Sequence, residues 1–388
     1  MARKLAVLIL TAAVIINSTG CWNNRDLTEL SILTALGIDK KGDMIEVTAQ
    51  IIKPTDVSIS GAGNAGGGGG DKKSFVAVSH VDKTVFAALR GMLSKVNKKI
   101  FYSSSQVIVI SEELARAGVQ DYIDFILRDH ETQFKSLVIV AKGTTAKEIV
   151  QQEYDLSKVP GAYIRDTIKN SEARGFTKEI NLLEMARELA TEGRELSIGT
   201  IEKEDKTTIT EGMAVFHNDK LAGYLDKYET RGYCFVTRRL KSSIVEIHHN
   251  ENPDKLIGIE LMKTSSKIKA KLSPDRKVEI TVKVKVSGNI GEQQAIQEKD
   301  IIDFCSCTRE ELEKYIKEEC ESAIRKSQQE YKSDIFGFGM HVFDEYPDYW
   351  KGVADKWNDE IYPNIKVKVE VNAKLLRTGL ISKNIQIK

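Results

Sequence analysis

The sequence predicts a mixed α/β chain of the α+β class. Antiparallel or mixed sheets are surrounded by helices, and a long amphipathic helix lies on the C-terminal sheet. Three observations carry that expectation. Between Gln106 and Tyr154, short apolar runs alternate with helical patterns, the order of an α/β unit. From Val278 to Val286, apolar and polar residues alternate without a break, the period of a half-buried strand. From about Thr308, apolar residues recur at helical spacing through Leu312, Ile316, Cys320 and Ile324. At 388 residues the chain is long enough for two or three domains. Its 57 Lys and Arg against 56 Asp and Glu leave a net charge of +1. That balance excludes a general nucleic-acid binder, which needs a basic stripe to displace counterions from phosphate.

The N-terminus reads as an address. Arg3 and Lys4 precede an apolar stretch from Leu5 to Ile16, too short to span a ~30 Å hydrocarbon core and of the length of a signal-peptide core. Asn17-Ser18-Thr19-Gly20-Cys21 follows. Small residues before a cysteine are the layout of a bacterial lipoprotein signal, so residues 1–20 are expected to be removed. Cys21 is then the lipidated residue, carrying an S-diacylglycerol and an N-acyl group. Such chains together give stable attachment, where one alone would be marginal. Ser18 departs from the branched apolar residue usual three positions before the cysteine. An ordinary cleaved signal and an uncleaved anchor are the alternatives. No later stretch approaches 18 consecutive apolar residues.

The mature chain is expected to divide into an N-terminal α/β domain, 21–200, with room for two subdomains, and a C-terminal α+β domain, 201–388. Leu30 to Ile38 is apolar structure soon after the tether, and Ile45 to Ile51 alternates as a strand. Residues 61–70 carry seven glycines, but Asp71 stands where a phosphate-binding loop needs its lysine, so a surface loop is the reading. Thr84 to Val96 carries a helical stripe. Gln106 to Ile110 and Leu137 to Ala141 are continuous apolar runs suited to strands buried on both faces. Glu112 to Arg128 between them reads as one helix, and Thr145 with Glu148 opens another by a capping box. Further helices cover Tyr163 to Ala173 and Asn181 to Thr191.

Met213 to Phe216 and Leu221 to Leu225 flank turn residues as a hairpin. Ile268 to Leu272 and Val278 to Val286 form a second, around Ser273-Pro274-Asp275-Arg276. Thr308 with Glu311 is expected to cap the long helix, and Ile365 to Ala373 closes an antiparallel sheet beneath it. Trp350 and Trp357, seven apart, are expected on one side of a helix packed on that sheet.

No motif for catalysis, cofactor or metal is found. The six histidines form no His-Glu-x-x-His pair, no Gly-x-Ser-x-Gly elbow exists, and no dinucleotide fingerprint follows a strand. Cys305, Cys307 and Cys320 lack an obvious fourth ligand, and Cys320 falls on an apolar stripe where a thiol packs as a small hydrophobe.

The chain resembles the Ger(x)C spore germination lipoproteins. The resemblance is carried by Gly20-Cys21-Trp22, by Thr34-Ala35-Leu36-Gly37-Ile38-Asp39 and by Val107 through Ala115. Glu229-Thr230-Arg231-Gly232-Tyr233 and Trp357-Asn358-Asp359-Glu360-Ile361-Tyr362-Pro363 continue it. It implies a non-enzymatic, lipid-anchored C subunit of a nutrient germinant receptor, on the outer face of the spore's inner membrane. Its partners would be two integral membrane subunits, A-type and B-type, with no nucleic acid and no cofactor. Only Cys21 transfers as a functional residue. Two other readings stay open: a solute-binding lipoprotein of a transporter, and an anchored exported enzyme.

Overall fold

In the computed structural model, residues 29–53, 73–129, 131–294 and 301–377 are described, with 1 and 3–6. The apolar runs assemble into a first sheet of ten strands. β1 (Leu30–Lys41), β2 (Met44–Ile52) and β3 (Phe75–Asp82) pair antiparallel in sequence. β4 (Lys99–Phe101) and β5 (Val107–Ser111) lie parallel to β1, and β6 (Leu137–Ala141) and β7 (Ser197–Glu204) extend the parallel set. β8 (Thr207–Ile209) folds back antiparallel on β7, β9 (Met213–His217) continues along the same edge, and β10 (Lys220–Leu225) pairs with β9. Residue 200, where the sequence places a boundary, lies inside β7, and the sheet runs on to Leu225.

β5 and β6 are buried along their whole length because alternate residues enter two cores. Ile108, Ile110, Val138 and Val140 face one core; Val107, Val109, Leu137 and Ile139 face the other. The first is roofed by α1 (Val85–Gly91), α2 (Glu112–Ala117) and α3 (Gln120–Arg128), the second by α4 (Ala146–Gln151) and α5 (Pro160–Ala173). α6 (Leu182–Ala190) joins the first core and opens with the Asn181–Glu184 capping box. The single helix expected over Glu112–Arg128 is two helices. Gly118 sits between them at φ +120°, a conformation outside the helical basin.

A second, four-stranded sheet follows α7 (Lys227–Thr237). It runs β11 (Ser243–His249), β12 (Asn252–Leu272), β13 (Val278–Gln293) and, after the helices, β14 (Lys366–Arg377). The first three are antiparallel, but β14 joins β13 in parallel, so the fully antiparallel sheet is corrected to a mixed one. A parallel neighbour needs a crossover, and α8 (Ile301–Gln329) supplies it. α8 starts seven residues before Thr308, which is buried within the helix and is not its cap. Trp350 and Trp357 share a core, not a helix. After α9 (Phe338–Glu345), Trp350 ends α10 (Pro347–Trp350) and Trp357 opens a separate π turn; their rings stand 5.2 Å apart, both buried. No described helix is long and apolar enough to cross a membrane.

Candidate functional site

Cys21, the lipidation residue expected from the sequence, lies outside the described residues, as does the glycine run 61–70. Elsewhere, the segments that carry the sequence resemblance turn out to be joints of the fold. Asp39, at the end of β1, accepts from Ala146 N and Lys147 N, both at 2.8 Å, capping α4. Burial raises its pKa, and those two N–H donors oppose the shift.

Glu229-Thr230-Arg231-Gly232-Tyr233 is the seam between the two sheets. Glu229 completes a capping box with Asp226 and pairs with Lys326 of α8 at 2.8 Å. Arg231, buried, donates through Nε to Glu319 Oε2 at 2.9 Å and through Nη1 to Ile244 O at 2.9 Å. Gly232 lets the helices touch, since a Cβ there would stand 2.2 Å from Glu319 O. Tyr233 reaches a buried ionic cluster: Lys178 Nζ donates to Glu188 at 2.6 and 2.8 Å and to Ser197 Oγ at 2.9 Å. Arg194 joins Glu188 at 3.0 Å and donates to Tyr233 Oη at 3.3 Å. Burial alone would raise the Glu188 carboxyl, but Lys178 and Arg194 outweigh it and hold its pKa below the ordinary value.

A second joint centres on Asp334, fully buried beneath Trp357. It accepts from Phe338 N at 3.0 Å, Gly339 N at 2.7 Å and Trp357 Nε1 at 2.8 Å. Asn358 donates to Glu195, which also accepts from Asn218 N at 2.7 Å, tying this segment to the first sheet. Lys178, Glu188, Asp334 and Glu195 were missed in the sequence, where nothing distinguishes them from surface charges.

Two clefts open at this seam. One of about 470 Å³ is lined by Asp124, Glu192, Arg194, Glu195 and Asp219 among others. The other, about 700 Å³, is flanked by Arg174, Phe176, Lys227, Tyr228, Arg231 and Tyr315. Its cations stack on its rings: Arg174 lies 5.1 Å from Phe176, and Lys227 5.2 Å from Tyr228. Such walls suit a polar or aromatic partner group. Among the described residues no three His, Cys, Asp or Glu side chains converge as metal ligands. Cys234, Cys305, Cys307 and Cys320 are free thiols. Burial pushes Cys234 up to about 12 and Cys320 well above its ordinary range, so neither is poised as a nucleophile.

Residues 23–203 match the family described as "Spore germination protein N-terminal domain", and residues 211–379 match "Spore germination B3/ GerAC like, C-terminal". The chain belongs to the GerAC-like spore germination family. Spore germination protein KC of Bacillus subtilis (strain 168) is 28% identical, over 98% of this chain and 97% of that one. Spore germination protein A3 of the same organism is 25% identical over 95% and 96%, and protein B3 is 24% identical over 94% and 95%. The crystal structure of the GerBC protein superposes with a TM-score of 0.57 at 19% identity, over 88% of this chain and 96% of that one. The GerAC-like fold of two mixed sheets with surrounding helices is therefore shared. Membership of this family assigns the chain a role in spore germination as a GerC-type protein.

Proposed function

We propose that this GerAC-like protein is the lipid-anchored, non-enzymatic subunit of a nutrient germinant receptor. Cys21 carries the S-diacylglycerol and N-acyl groups, holding the chain at the outer face of the spore inner membrane beside A-type and B-type integral membrane subunits. The observation that supports this reading is the match of both halves to germination protein families, in a chain opening with an apolar stretch and Gly20-Cys21. The buried charges fit it too, because they are spent on rigid joints between the two sheets and leave protein contact as the means of action. The test is nutrient-triggered germination in a strain whose other receptors have been deleted. Deletion of this chain abolishes the response while leaving nutrient-independent triggers intact, and Cys21→Ala severely impairs it. Normal germination of both strains would overturn the reading.

A further inference from the structure

The second sheet has one face on the core and one in solvent, and the solvent face is rich in lysine where β12, β13 and β14 run side by side. β12 contributes Lys263, Lys267, Lys269 and Lys271, β13 contributes Lys283 and Lys285, and β14 contributes Lys366, Lys368 and Lys374; all nine are exposed. The pairing fixes them as one surface. Lys267 stands opposite Lys283, Lys269 opposite Thr281, and Thr281 opposite Lys368, while the intervening Ile268, Val282 and Val369 point into the core. Within the patch formed by 263–271, 279–287 and 366–374 the carboxylates are Glu279 and Glu370, so it carries seven more positive charges than negative ones, and Glu260 and Glu246 lie beyond its edge on the same side of the sheet. Glu370 is shared by Lys283 at 2.8 Å and Lys368 at 2.7 Å. Among the described residues the other seven lysines have no ion-pair partner. The surface spans roughly 27 Å along the strands and about 10 Å across them.

Like charges directly opposite on neighbouring strands are destabilising, and Lys267 and Lys283 form such a pair, whereas Glu279 stands opposite both Lys271 and Lys366. The whole chain is only +1, so the face is a local segregation of charge and not a consequence of composition. Its chemistry is narrow. It is flat, lacks arginine forks that recognise a fixed phosphate, and presents no aromatic ring for stacking on a base. Hydrated point charges on flexible stems suit a diffuse, fluid sheet of negative charge.

β1, β5, β6 and β7 are parallel, so the chain enters the first sheet at the end where Ser197 also starts β7. The C-terminal unit is bound at that same end, through Glu195 N donating to Asp334 O at 2.9 Å and Met340 N to Gly193 O at 3.1 Å. Eight residues lie between Cys21 and Leu30, a reach of at most about 30 Å.

We propose that this lysine face docks on an anionic phospholipid bilayer, giving the protein a second, electrostatic attachment beside its acyl chains. The proposal rests on the membrane-tethered reading above, and it is tested without the tether. The probe is the unacylated mature chain, residues 22–388, which keeps every strand and helix from Leu30 to Arg377. Its binding is measured by co-sedimentation with vesicles of phosphatidylglycerol and phosphatidylcholine, and with phosphatidylcholine alone. Each lysine near such a surface contributes about fivefold in affinity. The triple variant Lys267→Gln, Lys285→Gln, Lys368→Gln should therefore bind the anionic vesicles roughly a hundredfold more weakly, with an unchanged circular dichroism spectrum. The triple variant Lys41→Gln, Lys83→Gln, Lys220→Gln, with the same change in net charge on the first sheet, should bind like wild type. Equal binding to both vesicle types, or equal losses in both triple variants, would overturn the proposal. So would tighter binding to duplex DNA than to the anionic vesicles at equal salt. Because no acyl group is present, these outcomes do not depend on whether Cys21 is lipidated.

Discussion

Trp357 Nε1 donates a 2.8 Å hydrogen bond to Asp334 Oδ2, in a site where the carboxylate is completely buried and two backbone N–H groups aim at it as well. Burial outweighs those donors and pushes Asp334 up to about 6. A carboxyl whose folded-state pKa is raised holds its proton more tightly when folded. Its contribution is most favourable below about pH 4 and is lost as pH rises to about 6. Two units correspond to about 3 kcal/mol. Relative to Asp334→Asn, wild type should therefore lose up to about that much stability between pH 4 and pH 6, in denaturant unfolding at fixed ionic strength. A difference that stays flat with pH would refute the assignment.

The Arg231–Glu319 pair joins α7 to α8 with both partners buried. Removing one partner strands the other charge in the interior, so Arg231→Ala should cost about 3–5 kcal/mol. Replacing both, Arg231→Met with Glu319→Leu, should recover a large share of that loss. A double-mutant cycle in urea reads the coupling directly.

Gly232 is the point of closest approach of the same two helices. An added Cβ would stand 2.5 Å from the Glu319 carbonyl carbon as well as 2.2 Å from its oxygen. Neither backbone can yield cheaply, so Gly232→Ala should destabilise by about 1–3 kcal/mol. Thermal unfolding beside wild type checks it.

Lys267 and Lys283 face each other across β12 and β13. Lys267→Glu turns that repulsion into an attractive pair, so it should stabilise the chain by about 0.2–1 kcal/mol. The same change should weaken binding to anionic vesicles. A variant that becomes more stable and binds less is the signature of charge kept for contact with a surface.

Thiol labelling separates the cysteines. Cys234 and Cys320 are buried with raised pKa values, whereas Cys305 and Cys307 are partly exposed. In native protein spanning residues 22–388, a chromogenic disulfide reagent should titrate two thiols promptly. Two more should follow only on unfolding.

Much of the fold was legible in the sequence because one physical signal dominated each segment. The runs Val107–Ser111 and Leu137–Ala141 are apolar throughout since both faces are covered, and Val278 to Val286 alternates since one face meets water. β11 was missed because its inward set is Ser243, Val245, Ile247 and His249, with Ile244 pointing out, which blurs the alternation. The parallel placement of β14 depends on a crossover that pairing patterns do not encode. The start of α8 was misplaced because Thr308 and Glu311 mimic a cap inside the helix. The joints built on Lys178 and Asp334 were invisible for another reason. A buried charge looks like any other until its partners, Glu188 in one case and Trp357 in the other, are brought to it across the chain. The lysines fall on the polar side of separate strands, and only the register of three strands gathers them into one patch.

Lipid anchoring through Cys21 is tested by the mass of the N-terminal peptide of this chain purified from spore inner membranes. The expected peptide begins at Cys21 and carries an S-diacylglycerol and an N-acyl chain. A peptide beginning at Met1, or an unmodified N-terminus at any other residue, would contradict it.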